Sequence, residues 1–414
     1  MPEIPTLAKR RLAALAALAA VAAVLAGCGG PATSDLAVPH SAALAGVKPQ
    51  SVAELARLDE DEIDIARAAI LIARSEYPDL DVERYEREID SLTSELRRAL
   101  SGRALTGRTL ARALARVVYS KVKARPTPIN EITDVTISDV LERKTGTCLS
   151  LTTLTLAVAG RLNLPVKAVL IPRHVFARYS SGARHVNIET TRGGIGLPDA
   201  FYIKWKGVTP GEIRRGVYMR ELTKKEFIAQ ILVGQGTATS RKNPARAGEL
   251  FELALKFHPS SPVVLYNLGV LAGRSGDLKA AEEFYNAAII VNPDSAECYV
   301  NRGAVRARLG RPREGVADCT RALALRPGLA EARINRAGAW GMLGDLRRAE
   351  ADYRGALKID PAAGVAHLML ARLMAGDGRA RDGAAHLRKA IAAGAITEKK
   401  ALKAPELKPL LRQR

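Results

Sequence analysis

The stretch Val140-Leu-Glu-Arg-Lys-Thr-Gly-Thr-Cys-Leu-Ser-Leu151 marks the start of a central helix. Thr147 is a residue type that caps helix N-termini, so the helix is predicted to begin at Cys148. The apolar residues that follow recur at helical spacing and predict its buried face: Leu151, Leu154, Val158 and Leu162. A cysteine in this position lies at the positive end of the helix dipole, which stabilises a thiolate.

The residues after this helix have the composition and alternation typical of β-strands. Pro165 starts a β-like run, and two alternating runs follow on either side of Ser180-Ser181-Gly182, a hairpin signal. The predicted strands are Val166 to Ile171, His174 to Tyr179 and Arg184 to Thr190, with a further strand over Phe201 to Trp205. A helix packed on an antiparallel sheet predicts an α+β core over residues 126–225.

The residues before the core predict helices. Apolar residues recur every three or four positions in three successive segments between residues 51 and 125, and Pro78 and Gly102 lie between them. We therefore expect a helical lead-in over residues 51–125, which forms one domain with the core, over residues 51–225.

The C-terminal part is a repeat array. Pro259, Pro293, Pro327 and Pro361 recur every 34 residues. Small residues recur with the same period in the predicted second helices, for example Ala288, Ala322 and Ala356. The pattern resembles the tetratricopeptide repeat (TPR) and predicts an all-α solenoid over residues 226–395, followed by a polar end over residues 396–414.

A column of asparagines would line the concave groove of this solenoid: Asn267, Asn301 and Asn335, with Arg302 and Arg336 nearby. Together they are predicted to hold a protein or peptide partner through a carboxylate or an acidic stretch. The alternative is that each asparagine bonds neighbouring backbone. Cys298 and Cys319 fall in the two helices of one repeat, as small packing residues or as a disulfide.

The N-terminus has the features of a targeting segment. Lys9-Arg-Arg11 precedes an apolar run, Leu12 to Leu25, that is too short to cross a bilayer comfortably. Leu25-Ala-Gly-Cys28 resembles the lipobox of bacterial lipoproteins. The resemblance implies a signal peptide over residues 1–27, acylation of Cys28 and membrane anchoring through that lipid.

Residues 28–50 are predicted to form a flexible linker from the lipid to the folded body. Gly29 follows the cysteine where aspartate would retain a lipoprotein at the inner membrane. The sorting rule of Gram-negative lipoproteins then implies a place in the cell envelope, at the outer membrane and facing the periplasm.

Composition limits the partners. Lys and Arg number 63 against 43 Asp and Glu, a formal net charge of +20, which favours anionic partners or reflects a solvated basic surface. No basic run is interleaved with aromatic residues, which argues against nucleic acid. No Cys-x-x-Cys pair, His-Glu-x-x-His pair or phosphate-binding glycine loop occurs, so neither a metal nor another cofactor is predicted.

A thiol nucleophile needs a low pKa, a nearby base and a group that orients the base. The helix N-terminus would lower the pKa of Cys148. The candidates for the base are His174 and His185, the only histidines in the domain. Glu189 lies on the strand after His174. Gly146 is expected to let a substrate carbonyl approach the backbone, where the Cys148 amide would help form an oxyanion site.

Cysteine at a helix N-terminus, then histidine on one strand and an acid on the next, resembles the transglutaminase-like superfamily of papain-type enzymes. The helical lead-in and C-terminal TPRs resemble its Sir-B branch more closely, through Leu55-Ala-Arg-Leu-Asp-Glu-Asp-Glu-Ile-Asp64 and Arg161-Leu-Asn-Leu-Pro165. In that branch the cysteine position often holds another residue; this chain keeps the cysteine.

Position by position, the resemblance implies Cys148 as nucleophile, His174 as general base and Glu189 as the acid. Glu189 stands where the superfamily usually has Asp, so Asn187 and Asp199 are alternatives for orienting the histidine. The implied activity is a cysteine protease, amidase or acyl transferase, with hydrolysis favoured over transfer. The alternative is an inactive transglutaminase-like scaffold that acts only through its TPRs.

Overall fold

The computed structural model describes residues 48–126, 135–182 and 184–413. The chain divides into two compact units, the first ending at Leu271 and the second running from Ala272 to Arg414. The predicted signal peptide, the lipidation site Cys28 and nearly all of the linker lie outside the described residues. None of the helices in the described ranges has both the length and the apolarity to cross a bilayer.

The first unit contains ten short or medium helices and five strands within the described residues. The helices are α1 (Val52–Leu55), α2 (Ile65–Arg74), α3 (Val82–Leu100), α4 (Gly107–Ala115), α5 (Ile137–Arg143), α6 (Cys148–Gly160), α7 (Asp199–Lys206), α8 (Pro210–Arg214), α9 (Lys224–Thr239) and α10 (Pro244–Phe257). The strands are β1 (Arg125–Pro126), β2 (Thr145–Gly146), β3 (Val166–Ile171), β4 (His174–Ser181) and β5 (Arg184–Ile188), and Arg116–Lys121 continues α4 as a π-helix.

The helical lead-in forms as predicted. Asp64, Asp81 and Thr106 cap α2, α3 and α4, and the side chain of each accepts a hydrogen bond from a backbone N–H of the first turn. These caps satisfy N–H groups that have no partner within the helix. Helices α2 and α3 both pack on α6.

The central helix α6 starts where the sequence predicts. The Thr147 side chain accepts from the Ser150 N–H while the Ser150 side chain accepts from the Thr147 N–H, a reciprocal capping box. Every residue from Ser150 to Ala159 is buried, because α2 and α3 cover one side of α6 and β3 and β4 cover the other. Such a helix is a rigid platform for the residue at its N-terminus.

The main sheet is antiparallel with the order β3-β4-β5. Ile171 pairs with His174 at the β3–β4 turn. Between β4 and β5, the paired residues run from Ala177 with Ile188 to Ser181 with Arg184 at the turn. Arg173 forms that first turn with φ 57°, in the left-handed region. The short strands β1 and β2 pair in parallel, and β2 ends two residues before Cys148. The predicted helix-on-sheet core is therefore confirmed.

The strand predicted over Phe201 to Trp205 is wrong, because these residues lie in α7. Pro198 precedes the helix, and Gly207 ends it with φ 63°, a left-handed cap that glycine adopts without strain. Tyr202 is fully buried and stacks on Phe176 of β4 at 4.0 Å between ring centroids. Packing of this face against the sheet decides the helix.

The TPR-like solenoid is also confirmed. Its helices are α11 (Pro262–Ser275), which contains the point of division, α12 (Leu278–Val291), α13 (Ala296–Arg308), α14 (Pro312–Leu325), α15 (Ala330–Met342), α16 (Leu346–Ile359), α17 (Gly364–Gly376), α18 (Ala380–Ala392) and α19 (Glu398–Lys403), with a 3-10 helix over Lys408–Arg412. A glycine of positive φ recurs every 34 residues, in the turn between the two helices of each repeat: Gly276, Gly310, Gly344 and Gly378.

Candidate active site

Cys148 is the first residue of α6, and its side chain is only partly covered. The sulfur accepts a hydrogen bond from the Val175 backbone N–H, and it is hydrogen-bonded to the side chain of His174. Both partners come from the start of β4, which passes the N-terminus of α6. The sheet and the helix therefore meet at the thiol.

His174 is the first residue of β4 and is 7% exposed. Its Nε2 atom lies 2.9 Å from Glu189 Oε2. Because Nε2 has this partner, Nδ1 is the ring nitrogen left to face the Cys148 sulfur. The Trp205 ring also contacts the imidazole in a T-shaped arrangement, with 5.2 Å between ring centroids. The ring is thus held in one orientation between the thiol and the carboxylate.

Glu189 follows β5 and is 1% exposed. An isolated bridge to Ile195 closes the turn beyond it. Its Oε2 also accepts from the Tyr202 hydroxyl at 3.0 Å, and its Oε1 accepts from the Thr191 N–H at 3.0 Å and the Thr191 hydroxyl at 2.6 Å. A buried carboxylate needs this many donors to remain charged.

Electrostatics favours a thiolate beside an imidazolium. Burial raises the pKa of Cys148, but the bond to His174 and the charge of its ring outweigh burial and lower it. Burial lowers the pKa of His174, but its bonds to Cys148 and Glu189 raise it to about 9. Burial raises the pKa of Glu189, and the bonds from His174 and Thr191 outweigh that and hold it at about 2.

The two alternative orienting residues contact other groups. Asn187 accepts from Arg178 Nε at 2.8 Å and donates to Asp199 Oδ1 at 2.7 Å. Asp199 also pairs with Arg178 at 2.6 Å and with His185 at 3.3 Å. Asn187 and Asp199 thus form a polar cluster with Arg178 and His185. Of the three candidates for the orienting residue, Glu189 is the one hydrogen-bonded to the imidazole of His174.

The interpretation of Gly146 was wrong. A Cβ atom at this position would come within 2.8 Å of Val140 Cγ2 and 2.9 Å of Ser150 Oγ. The open side of Gly146 therefore faces the packed interior, and glycine is needed there for packing. The Cys148 N–H lies in the first turn of α6, where it has no acceptor within the helix and could donate to an oxyanion.

Four residues around the site were not singled out from the sequence: Thr191, Tyr202, Trp205 and Lys206. Three of them lie on α7, in which residues 201–205 were predicted as a strand. Pro198 just before the segment and Gly207 just after it were the helix signals that could have revealed this arrangement. Among the residues the structure describes, no group of three or more His, Cys, Asp or Glu side chains could hold a metal ion.

The two predicted partner-binding arginines of the second unit are ion-paired. Arg302 binds Asp318 through Nε at 2.9 Å and Nη2 at 2.6 Å. Arg336 binds Asp352 in the same way, at 2.7 and 2.8 Å. Each pair links the two helices of one repeat, so both guanidinium groups already hold a carboxylate of the chain itself.

The asparagines of the predicted groove differ in their bonds. Asn267 donates to the Val263 carbonyl of its own helix at 2.8 Å, and Asn335 donates to the Val300 carbonyl at 3.4 Å. Both contacts are of the backbone-bonding kind that the sequence left open as the alternative. Cys298 and Cys319 are free thiols, and burial raises the pKa of each to about 12.

Two family models match the chain. Residues 83–231 match the transglutaminase-like superfamily, and residues 263–295 match the tetratricopeptide repeat. The chain therefore contains a transglutaminase-like domain followed by TPR structure, as the sequence predicts.

Among individual proteins, the chain is similar to the UPF0162 protein of Xylella fastidiosa strain 9a5c. The two are 26% identical over 235 residues, 54% of this chain and 83% of the relative. The UPF0162 protein of strain Temecula1 is 26% identical over 243 residues, 56% of this chain and 86% of the relative.

Solved TPR structures resemble part of the chain. The type IV pilus biogenesis factor PilW has a TM-score of 0.41 and 24% identity, over 44% of this chain and 86% of that one. A thermophilic TPR protein of Thermus thermophilus has a TM-score of 0.38 and 22% identity, over 44% of this chain and 99% of that one.

Proposed function

We propose that the transglutaminase-like domain is a cysteine hydrolase or acyl transferase that acts on amide bonds. The observation that carries the proposal is the hydrogen-bonded series from Cys148 through His174 to Glu189, with 2.9 Å between His174 Nε2 and Glu189 Oε2. This series has the nucleophile, the base and the orienting group of a thiol enzyme in the required order.

In the proposed reaction, the Cys148 thiolate attacks the carbonyl carbon of the amide and forms a carbon–sulfur bond. The Cys148 N–H at the terminus of α6 donates to the resulting oxyanion. The imidazolium of His174 gives its Nδ1 proton to the leaving nitrogen as the carbon–nitrogen bond breaks, which leaves a thioester. His174 then takes a proton from water, whose oxygen attacks the thioester and releases the acid and the thiolate. An amine in place of water gives transfer.

A mechanism-based probe tests this proposal. Biotin-tagged peptidyl acyloxymethyl ketones should label the full chain at Cys148, with carboxylate as the leaving group. Cys148→Ala should abolish labelling, and His174→Ala should reduce it at least about tenfold. Wild-type protein that stays unlabelled with every probe of a diverse set, or labelling that persists in Cys148→Ala, would overturn the proposal and leave the scaffold.

We propose in addition that the protein is a lipoprotein anchored through Cys28 at the outer membrane. The lipobox-like Leu25-Ala-Gly-Cys28 supports this, as does Gly29 after the cysteine. Expressed in a Gram-negative host with labelled palmitate, the wild-type chain should incorporate label and enter the detergent phase. Cys28→Ser should do neither. Label that persists in Cys28→Ser would contradict the proposal.

The TPR array is proposed to bind a protein or peptide partner in the envelope. The TPR match supports a binding role. The proposed contacts are Asn267, Asn301 and Asn335; Arg302 and Arg336 would take part by exchanging Asp318 and Asp352 for a carboxylate of the partner. An acidic peptide library read by fluorescence anisotropy should show binding that weakens in Asn335→Ala. Binding unchanged by that variant would remove Asn335 from the recognition surface.

A further inference from the structure

Two cations lie beside the thiol at the candidate site. Arg173 immediately precedes His174 and is exposed in the β3–β4 turn. Lys206 ends α7, next to Trp205, and its charge interacts with those of Cys148, Arg173 and Glu189. Arg173 thus adjoins the base of the candidate site in the chain, and Lys206 lies close enough to the nucleophile for their charges to interact.

Neither cation has a carboxylate partner among the described residues, in contrast to Arg178 and Arg161 of the same unit. Arg178 pairs with Asp199, and Arg161 pairs with Asp64 at 2.8 Å. The charge of Glu189 acts on Lys206, but the carboxylate oxygens of Glu189 are bonded to His174, Tyr202 and Thr191. Within the described residues, no ion pair thus neutralises Arg173 or Lys206.

Lys206 is also held in place. Its Nζ atom lies 3.9 Å from the centroid of the Trp205 ring, a close cation–π contact. Trp205 in turn makes a T-shaped contact with His174 and is 46% exposed. Burial and the charge of Arg173 lower the pKa of Lys206 despite Cys148 and Glu189. An arriving carboxylate would supply the missing counter-charge.

We propose that Arg173 and Lys206 select acyl donors that carry a carboxylate close to the scissile amide, with Trp205 as the apolar surface beneath the chain of the substrate. The proposal rests on the proposed function, because it specifies the substrate of the same thiol. The carboxylate belongs to an acidic side chain or to a free C-terminus, and both present the same chemistry to the two cations.

The first experiment compares two alkylating agents of equal shape on the full chain. Iodoacetamide is neutral and iodoacetate is anionic; in each case the thiolate displaces iodide. The ratio of the rate with iodoacetate to that with iodoacetamide at Cys148 is read by mass spectrometry of its peptide. We expect Lys206→Gln and Arg173→Gln each to lower this ratio about three- to tenfold at low salt, and Lys206→Arg to retain it.

Lys204→Gln is the matched control, because Lys204 is exposed on the same helix. It should leave the ratio within about twofold of wild type, as expected of a solvated charge. A ratio that is equal in wild type, Lys206→Gln and Arg173→Gln overturns the proposal. A Cys148 that reacts with neither agent instead rejects the proposed function, so the two failures are distinguishable.

A second experiment separates the sources of the carboxylate. Three chloroacetyl compounds alkylate thiolates and differ in the position of a carboxylate. Chloroacetyl-Gln-amide has none, chloroacetyl-Glu-amide has one on the side chain, and chloroacetyl-Gln with a free C-terminus has one at that terminus. Faster reaction with the second compound assigns an acidic side chain, and faster reaction with the third assigns a C-terminus. Equal rates with all three overturn the proposal.

Discussion

Trp205 contacts His174 edge-on, with 5.2 Å between the ring centroids and 70° between the ring planes. Trp205 lies on α7, and His174 is the first residue of β4. The contact therefore couples the position of α7 to the orientation of the imidazole that faces Cys148. A helix predicted as a strand from the sequence forms one side of the candidate site.

The reactivity of Cys148 should show a thiolate at neutral pH. We expect its alkylation by iodoacetamide to rise with pH and reach a plateau below the ordinary thiol pKa of 9, because His174 lowers the pKa of Cys148. In His174→Ala the thiol loses that partner and remains near Glu189, so its pKa should rise and its rate at pH 7 should fall at least about tenfold. The measurement is the pH–rate profile by mass spectrometry.

Cys298 and Cys319 provide the internal reference for this profile, because burial raises their pKa to about 12. They should remain unlabelled in the folded chain. A Cys148 profile that is the same in wild type and His174→Ala would show that the imidazole does not activate the thiol.

Replacing Glu189 by Gln should lower the pKa of His174. The amide keeps an oxygen for the imidazole N–H but removes the negative charge that helps raise that pKa to about 9. A fall of at least about one unit is expected, which corresponds to about 1.4 kcal/mol of lost interaction with the imidazolium. Ring resonances of His174 followed by NMR against pH measure the shift, and an unchanged midpoint would contradict it.

The carboxylate of Glu189 should also make stability depend on pH. Its folded pKa of about 2 lies below the ordinary value of 4.5, so its contribution is fully present above 4.5 and is lost as pH falls toward 2. The loss is at most about 3 kcal/mol. Urea unfolding between pH 5 and pH 3 should show a shallower decline in Glu189→Gln than in wild type; parallel declines would refute the assignment.

Ion pairs in the second unit should differ in strength with their burial. Asp318 is 4% exposed and pairs with Arg302 and Arg306. Asp318→Asn leaves the largely covered guanidinium of Arg302 without its carboxylate partner, whereas Arg306 keeps Glu282, and the cost should be about 3 kcal/mol. The midpoint of thermal unfolding should fall accordingly.

Glu297→Gln is the matched control, since Glu297 and its partner Arg326 are 41% and 46% exposed at the side chain. A surface pair of this kind contributes at most about 1 kcal/mol. Equal effects of the Asp318 and Glu297 variants would mean that Asp318 is not needed to hold its two helices together.

The structural features that the sequence predicts correctly depend on interactions between residues close together in the chain. The cap at Thr147 and the start of α6 follow from the bonding of a few neighbouring residues. The 34-residue period follows from a turn that needs glycine in every repeat, as at Gly310 and Gly344. These features depend on residues close together in the chain, so a single sequence suffices to find them.

Features that depend on distant residues were predicted less well. Phe201 to Trp205 alternates like a strand, and burial of Tyr202 against Phe176 makes it a helix. The choice of Glu189 over Asn187 and Asp199 depends on how the hairpin turns after β5. The ion pair of Arg302 with Asp318 was not predicted, because Asp318 lies 16 residues away on another helix.

Close packing of α13 on α14 gives the last prediction. A Cβ at Gly303 would lie 2.9 Å from Cys319 Sγ and 3.0 Å from the Gly315 carbonyl oxygen, so Gly303→Ala must push backbone apart. The strain should exceed the gain in helix propensity and destabilise the unit by about 1–3 kcal/mol. Gly341 is the control: it lies within α15, and a Cβ there meets nothing within 4 Å. Gly341→Ala should therefore stabilise by about 0.5–1 kcal/mol. Urea unfolding of the two variants should shift the midpoint in opposite directions, and a shift of the same sign in both would mean that α13 and α14 do not approach this closely.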